Sequence, residues 1–342
     1  MIDKAKFVLN RKMVFDKLDE LSKLADIVSY SFKTNYEVGK VLEGKCWISV
    51  HSLNSLELLK YMDKVLYFAQ AWDSNELNVL FEKGVRFFVV DNKKDLDVLL
   101  DFLKDKTERI SLFLRMRLKE NTIHTGKHFV FGFYSNQVNE VIPKLKNNKN
   151  IQALGIHFHR KTQNVSEWSL KEELKDSLND EVFKIIKFVN IGGGLPSVYK
   201  NYREGIIDSI FAKIEDLREF LNYRNIKMII EPGRYIAAPA VKLVTKVRNI
   251  YGDNVIVNCS AYNSAMDTFI ANIRLLVENE SEKGYCYTIK GSTPDSLDIF
   301  RYKVFLKNKL KKGDKIVFLN AGAYNFHTDF CNLPHLETEI VD

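Results

Sequence analysis

Short runs of consecutive apolar residues alternate with amphipathic segments along the first two thirds of the chain. The runs are rich in β-branched and aromatic residues, which is typical of strands buried on both faces. They predict strands at 27–32, 46–50, 65–69, 86–90, 111–115, 151–158, 188–191 and 227–231. The segments between them show helical periodicity and predict helices at 55–62, 74–83, 94–103, 135–148 and 209–224.

Strands that alternate with helices indicate a parallel sheet with right-handed crossover helices. Eight such units in about 210 residues match the usual size of a (β/α)₈ barrel. The pattern therefore predicts an α/β barrel of this type over residues 11–238. A doubly wound open sheet is the alternative that the same pattern allows.

The pattern changes after Pro239, where strands dominate and tight turns separate them. Strands are predicted at 241–250, 254–260, 284–291, 301–306 and 314–322, and one helical stretch is predicted at 266–279. The apolar run at residues 6–10 can add a strand to this part. We therefore expect a second, all-β domain made of residues 1–10 and 239–342.

Composition narrows the classes of function. The 342 residues carry 51 basic and 44 acidic side chains, a modest net charge of +7, without a basic block interleaved with aromatics. Nucleic-acid binding is therefore not expected. The first residues lack the apolar core of a signal peptide, and no apolar run reaches membrane-spanning length. We expect a cytoplasmic protein with no membrane partner.

Candidate chemical residues fall at or just past the carboxyl ends of the predicted strands: Lys33, Arg115, His159, Gly192 to Gly194 and Glu231. In a (β/α)₈ barrel these ends form one face, and that face holds the active site. Residues far apart in sequence are thus expected to meet around one pocket. A lysine, a glycine-rich turn, a carboxylate and an arginine together suit a phosphorylated carbonyl cofactor.

Taken one at a time, these motifs are ambiguous. Lys33, desolvated at a barrel rim, can act as a neutral amine towards an aldehyde, or it is an exposed lysine that opens a helix. Residues 190–196, NIGGGLP, can bind a phosphate with help from a following helix N-terminus, or form a tight turn without ligand. They are not the G-x-G-x-x-G pattern, which disfavours a dinucleotide.

Two further motifs carry charged or titratable side chains. In EPGRY, residues 231–235, Glu231 can accept a hydrogen bond from a protonated ring nitrogen and Arg234 can hold a phosphate; a charged surface turn is the alternative. In GIHFHR, His157 and His159 face the same side of a strand and can stack on a planar ring, although a buried structural histidine is the commoner case. A metal site is the weaker interpretation, because no third ligand is evident by spacing.

In their order along the chain these motifs resemble the fold-type III pyridoxal phosphate decarboxylases, from about Phe7 to Tyr324. SYSFKTN is similar to the family segment Y-A-V-K-A-N, which implies that Lys33 is the Schiff-base lysine of pyridoxal 5'-phosphate. GIHFHRKTQ, NIGGGLP, EPGRY and NAGAY are similar to other family segments. The resemblance implies an alanine racemase-like fold, and it implies these cofactor-binding residues: Lys33, Arg115, His159, Thr162, Gly193, Gly194, Glu231, Gly233, Arg234 and Tyr324.

The same resemblance implies a homodimer with shared active sites and an amino-acid substrate. KGSTPDSLDIF is similar to the family segment that the partner subunit contributes, so Asp295 would bind the distal amine of a basic substrate. Asp267 and Arg274 would be further substrate-binding residues. With Lys33, Glu231 and His159, Asp295 completes the expected catalytic set. The implied activity is α-decarboxylation of a basic amino acid or polyamine precursor.

The sequence also departs from this family. Pro294 stands where many relatives have a cysteine that reprotonates the product, so Tyr324, Lys33 or water would have to do so. Ser49 and Ser55 stand where relatives carry acidic residues. The segment 260–274 is closer to the carboxynorspermidine type, whereas GIHFH and EPGR are closer to the diaminopimelate and ornithine types. Diaminopimelate decarboxylation, a racemase and a non-catalytic regulatory homologue therefore remain as alternatives.

Overall fold

The structure is a computed structural model that describes residues 4–68, 70–118, 131–202 and 205–342. Residues 1–3, which were expected in the β domain, lie outside the described residues. So does Ala69, which was predicted to end a strand. The chain begins with strand β1 (Lys6–Asn10) and helix α1 (Arg11–Leu24). After them comes a closed barrel of eight parallel strands, in which the last strand pairs with the first.

The barrel strands follow one another in sequence order around the ring. They are β2 (Ile27–Ser31), β3 (Trp47–Val50), β4 (Val65–Phe68), β5 (Phe87–Val90), β6 (Ile110–Arg115), β7 (Ile151–His157), β8 (Phe188–Asn190) and β9 (Lys227–Ile230). The eight predicted strands are confirmed, with ends that differ by one residue in the described part. The barrel prediction is confirmed with them, and the doubly wound sheet is excluded.

Helices connect the barrel strands on the outside. Those described are α2 (Tyr36–Leu42), α3 (Leu53–Leu56), α4 (Ser74–Glu82), α5 (Lys93–Leu103), α6 (Ser135–Leu145), α7 (Leu170–Ser177), α8 (Asp180–Ile185), α9 (Ile207–Asn222) and α10 (Arg234–Ala240). Their caps follow ordinary rules: the Asn92 side chain, for example, accepts the Asp95 N–H at the start of α5. That helix buries Leu96, Leu99 and Leu103 at helical spacing.

The helix predicted at 55–62 is wrong, because α3 ends at Leu56. The carboxylate of Glu43 accepts the backbone N–H groups of Lys60 and Tyr61. A backbone N–H that donates to a side chain is lost to the helical ladder, so the helix cannot continue through these residues. Glu43 lies outside the window of residues that produced the helical pattern.

The second unit is a mixed sheet with strand order β12-β15-β10-β11-β13-β14. Its members are β10 (Val241–Tyr251), β11 (Asn254–Val257), β12 (Leu276–Val277), β13 (Tyr285–Lys290), β14 (Ile299–Leu306), β15 (Lys315–Leu319) and β16 (Glu337–Val341). Strand β1 joins this sheet, antiparallel to β10 and parallel to β16. A β domain therefore follows the barrel, and the N-terminal strand adds to its sheet.

The helix predicted at 266–279 is mostly wrong. Helix α11 covers Asp267–Ile270, after which Asn272 adopts a φ of 51°. That left-handed conformation breaks the helix. The chain then forms β12, which pairs with β15 in the sheet. Tertiary pairing thus overrides local helical periodicity here.

The barrel interior is filled by a small apolar cluster that includes Leu66, Phe113 and Ile229. A larger continuous core joins the outer faces of the barrel strands, the helices and the β domain. Filling of this kind makes the barrel a solid scaffold and leaves the strand ends as the place for a site. In the described part of the chain, no helix has the length and apolarity needed to span a membrane.

Candidate active site

A cleft opens at the carboxyl ends of the barrel strands. All ten residues expected to bind the cofactor line it: Lys33, Arg115, His159, Thr162, Gly193, Gly194, Glu231, Gly233, Arg234 and Tyr324. Tyr324 reaches the cleft from the segment after β15, where its backbone N–H donates to Thr34 O at 2.9 Å. The barrel and the β domain therefore both contribute to the wall.

Lys33 lies in a short 3₁₀ turn directly after β2, and its side chain faces the cleft. Within the described residues its amine has no hydrogen-bond or ion-pair partner. Desolvation in the cleft lowers the pKa of Lys33, and the nearby Arg115 lowers it further, while Glu231 opposes both. The lysine thus has more neutral amine at a given pH than an exposed lysine has, and only the neutral amine is nucleophilic.

Glu231 follows β9 and is 7% exposed. The Ser49 hydroxyl and the Asn190 amide both donate to its Oε1 at 2.9 Å. His157 Nε2 lies 3.5 Å from the other oxygen, Oε2. Burial alone would raise the pKa of Glu231, but His157 and Asn190 outweigh it and lower that pKa to about 2. The carboxylate is therefore ionised at physiological pH and can accept a hydrogen bond.

Three histidines surround this carboxylate and the lysine. His159 Nδ1 accepts the Gly193 N–H at 3.2 Å, which fixes the ring against the glycine turn. His51 stacks on Phe68 with ring centroids 4.6 Å apart, and His157 meets the same phenyl ring edge-on at 5.0 Å. Burial lowers the pKa of His157, and the neighbouring Glu231 opposes that shift.

The turn at Gly192 to Gly194 has no room for side chains larger than that of glycine. A Cβ on Gly193 would lie 2.5 Å from Glu231 O, and one on Gly194 would lie 2.5 Å from Lys161 O. Gly194 also has a φ of +105°, which side chains rarely adopt. The expected helix directly after this turn is not found: residues 195–202 are not helical and α9 begins at Ile207.

Arg234 opens α10 and is almost fully buried. Its guanidinium forms an ion pair with Asp267, accompanied by hydrogen bonds to the Tyr199 hydroxyl at 3.1 Å and to Thr162 Oγ1 at 3.3 Å. It also lies over the Tyr324 ring, 5.1 Å from the centroid. Burial alone would lower the pKa of Arg234, but Tyr199 and Asp267 outweigh it and raise that pKa. The guanidinium therefore stays charged.

The three residues expected to bind substrate do not line this cleft. Asp267 is paired with Arg234. Arg274 lies over the Tyr302 ring, 5.5 Å from its centroid. Asp295 accepts hydrogen bonds from the Tyr262 hydroxyl at 3.1 Å and the Leu297 N–H at 2.7 Å. The structure therefore brings together the ten residues expected to bind the cofactor and leaves these three outside the cleft.

His157, one of the two histidines considered for stacking on a planar ring, also lines the cleft, and five further lining residues were not anticipated: Ser31, Thr34, His51, Phe68 and Leu195. Thr34 Oγ1 is buried without a hydrogen-bond partner, a polar atom suited to a ligand in the cleft. With the glycine turn, the retained Arg234 cation, the unpaired Lys33 amine and the ionised Glu231, the cleft fits a planar, phosphorylated aldehyde with a basic ring nitrogen. Pyridoxal phosphate has all of these features.

Comparison with known proteins agrees with this fit. Residues 54–238 match the family described as pyridoxal-dependent decarboxylase, pyridoxal binding domain. A diaminopimelate decarboxylase of Staphylococcus aureus is 24% identical over 275 residues, which cover 74% of this chain and 64% of that protein. A lysine/ornithine decarboxylase of Selenomonas ruminantium is 23% identical over 321 residues, covering 87% of this chain and 78% of that protein.

Among solved structures, the diaminopimelate decarboxylase of Helicobacter pylori complexed with L-lysine superposes with a TM-score of 0.83 at 16% identity. The match covers 99% of this chain and 92% of that one. At this identity the likeness shows the fold, a barrel followed by a β domain. By sequence, the chain spans 64 to 66% of the first curated diaminopimelate decarboxylases that it matches.

Proposed function

The chain belongs to the pyridoxal-dependent decarboxylases, and on that premise we propose that it is an α-decarboxylase of a basic amino acid or polyamine precursor. The observation that carries the proposal is the cleft itself. Ten residues from distant parts of the sequence line it, with the unpaired Lys33 amine and the ionised Glu231 among them. We further propose that Arg234, Thr162, Gly193, Gly194, Gly233 and Tyr324 hold the cofactor phosphate.

Bound pyridoxal phosphate supplies an aldehyde that bonds to amines and a protonated ring that draws electrons from the amino acid's Cα. Lys33 supplies the amine that attaches the cofactor, and its lowered pKa leaves more of that amine neutral, and so nucleophilic, at a given pH. Glu231 would accept a hydrogen bond from the protonated ring nitrogen and so keep that proton in place. His159, whose Nδ1 accepts the Gly193 N–H, would cover one face of the bound ring. Arg115 adds positive charge beside Lys33.

The proton that Cα regains after loss of CO₂ needs a donor. Pro294 has no exchangeable side-chain proton, so it cannot serve as a cysteine would there. Lys33 and Tyr324 both line the cleft and carry such protons. We propose that one of these two groups, or water in the cleft, returns the proton.

Substrate selection is proposed to need a second copy of the chain. Asp295 does not line the cleft of its own chain. Hydrogen bonds fix the loop that contains it, because Asp298 accepts the Ala261 and Thr293 N–H groups. Nearby, Ile270 and Leu297 are exposed apolar side chains, 66% and 63% exposed. A homodimer that covers this surface would bring the partner's Asp295 to the cleft, where it would bind a distal ammonium.

Diaminopimelate is the second candidate substrate. It is favoured by Arg274, whose guanidinium has no carboxylate partner within the described residues and can pair with a second substrate carboxylate. It is also the substrate in the names of several matched relatives. Ornithine and lysine lack that carboxylate. A role for Arg274 in substrate binding is therefore expected for diaminopimelate and not for ornithine or lysine.

A CO₂-release assay with purified protein and pyridoxal phosphate tests the proposal. The panel is ornithine, lysine, arginine, 2,4-diaminobutyrate, diaminopimelate and carboxynorspermidine, and the Lys33→Ala variant is the control. Release from one substrate that is lost in the variant supports the decarboxylase and identifies its specificity. Cofactor binding without release from any substrate would favour a racemase or a regulatory protein.

A further inference from the structure

Asn190, the last residue of β8, is fully buried and contacts two parts of the cleft at once. Its Oδ1 accepts the Gly192 N–H at 2.9 Å, and its Nδ2 donates to Glu231 Oε1 at 2.9 Å. The Glu231 N–H in turn donates to Gly192 O at 2.8 Å. These three hydrogen bonds close a ring that joins the glycine turn to the carboxylate.

The chemistry of this ring requires an amide at position 190. A flipped amide would place its NH₂ group against the Gly192 N–H and its oxygen against the Glu231 carboxylate, so both contacts would be repulsive. An aspartate of the same shape would accept from Gly192 but could not donate to Glu231 when ionised. Only a side chain with one donor and one acceptor satisfies both contacts.

The two oxygens of Glu231 have different surroundings. Oε1 receives two donors, Asn190 and Ser49, and the Ser49 hydroxyl lies 2.7 Å from that of Ser29. Two hydrogen bonds occupy the lone pairs of one oxygen. Oε2 has no hydrogen bond in the described part of the chain, and His157 Nε2 lies 3.5 Å from it. One oxygen is thus held by the protein, and the other is available to a ligand.

We propose that Asn190 is a positioning residue that couples the glycine turn to the carboxylate of Glu231, so that the phosphate contact and the ring-nitrogen contact are set as one unit. The inference rests on the proposed function, because it assigns the turn to phosphate and Glu231 to a ring nitrogen. Asn190 acts through Glu231 and Gly192 and need not touch the cofactor.

The Asn190→Asp variant separates this role from simple packing. It keeps the shape and the acceptor for Gly192 but places a second carboxylate at hydrogen-bond distance from Glu231. Two carboxylates at that distance share a proton, because both cannot ionise together. The other charged or titratable groups that act on Glu231 are unchanged by the substitution: His157, His51, His159, Lys33 and Arg115.

The first readout needs no cofactor. Carboxyl-¹³C-labelled glutamate reports the titration of Glu231 in the cofactor-free protein, and Glu231→Gln identifies its signal by loss. In the wild-type protein Glu231 should stay ionised throughout the accessible acid range, since its pKa is about 2. In Asn190→Asp the signal should titrate at higher pH. A Glu231 signal that titrates identically in both proteins would overturn the proposal.

The second readout compares two probes, pyridoxal phosphate and its 1-deaza analogue, which has C–H in place of the ring nitrogen. The preference for pyridoxal phosphate reports the contact between Glu231 and the ring nitrogen. It should fall about tenfold in Asn190→Asp, the range expected for a charge-assisted hydrogen bond. Equal weakening of both probes would overturn the proposal, because Asn190 would then support only the phosphate turn.

Asn150→Asp is the matched control. Asn150 is also buried and donates to the carbonyls of Lys106 and Glu108, before the start of β7 and away from the cleft. This variant should lose stability while keeping the wild-type probe preference, so a change of preference in it would also count against the proposal. If the wild-type protein binds neither probe, the proposed function fails, whereas the NMR titration still decides the coupling of Asn190 to Glu231.

Discussion

The barrel rim and the β domain differ in how many of their expected site residues line the cleft of a single chain. Every residue expected to bind the cofactor lines one cleft, and nine of these ten come from the barrel. Asp267, Arg274 and Asp295, expected to bind substrate, belong to the β domain and lie outside that cleft. This difference supports our proposal that one chain supplies the cofactor site and that a second copy contributes to substrate selection.

The largest effect is expected from Lys33→Ala. Without this amine the cofactor has no covalent attachment, so CO₂ release should fall by at least about 10³-fold, as for loss of a covalent catalyst. Borohydride reduction followed by mass spectrometry should find the cofactor on the wild-type chain and not on the variant. Lys83→Ala, a partly exposed lysine paired with Glu57 away from the cleft, should behave like wild type. Normal turnover by Lys33→Ala would remove the lysine from the mechanism.

Asp267→Asn tests whether this aspartate serves Arg234 or the substrate. Removing one partner of a buried ion pair leaves an uncompensated guanidinium and should cost about 3 kcal/mol of unfolding free energy in the cofactor-free protein. Pyridoxal phosphate should then raise Tm more in the variant than in wild type, since its phosphate compensates Arg234. Thermal unfolding with and without cofactor measures both effects.

Glu280→Gln provides the comparison for that experiment. Glu280 pairs with Arg301, which is 2% exposed and lies in the β domain away from the cleft. This variant should also lose stability, but the cofactor should raise its Tm no more than it does in wild type. If Asp267→Asn changes KM for substrate and leaves Tm unaltered, Asp267 is a substrate residue after all.

Asp295→Asn should leave cofactor binding intact and weaken substrate recognition. Loss of one charge-assisted contact to a distal ammonium should lower kcat/KM by about 10- to 100-fold, mostly through KM. Asp314→Asn is the control, because Asp314 likewise accepts a backbone N–H in a turn but lies elsewhere in the β domain. Equal losses in both variants would show a structural effect only.

The smallest effect is expected on the pH dependence of the rate at which Lys33 reacts with the cofactor aldehyde. Only neutral Lys33 reacts with the aldehyde, so the rate should rise with pH and reach its midpoint below that of an ordinary lysine. Arg115→Gln removes a cation that lowers the pKa of Lys33; the midpoint should therefore move up and the rate at neutral pH fall by less than about tenfold. Arg117→Gln, whose guanidinium donates to Gly132 O instead, should leave the midpoint in place. A downward shift in Arg115→Gln would contradict the assigned cause.

The barrel was predictable from the sequence because barrel strands are buried on both faces and therefore consist of consecutive apolar residues. It failed where a distant side chain decides local structure, as Glu43 does in ending α3. The convergence of the expected cofactor residues on one cleft was predictable because they lie in short motifs at the ends of strands. The contacts of Ser49 and Asn190 were not, since their partner Glu231 is 182 and 41 residues away and only the closed barrel brings them together.

The most direct test of the central claim mixes two weakened variants, Lys33→Ala and Asp295→Asn, after unfolding and refolding them together. If each site combines Lys33 of one chain with Asp295 of another, mixed dimers contain one intact site. Half of the dimers are then mixed, so activity should approach about a quarter of the wild-type value. Mixed dimers verified by native mass spectrometry that recover no activity would contradict a site shared between chains.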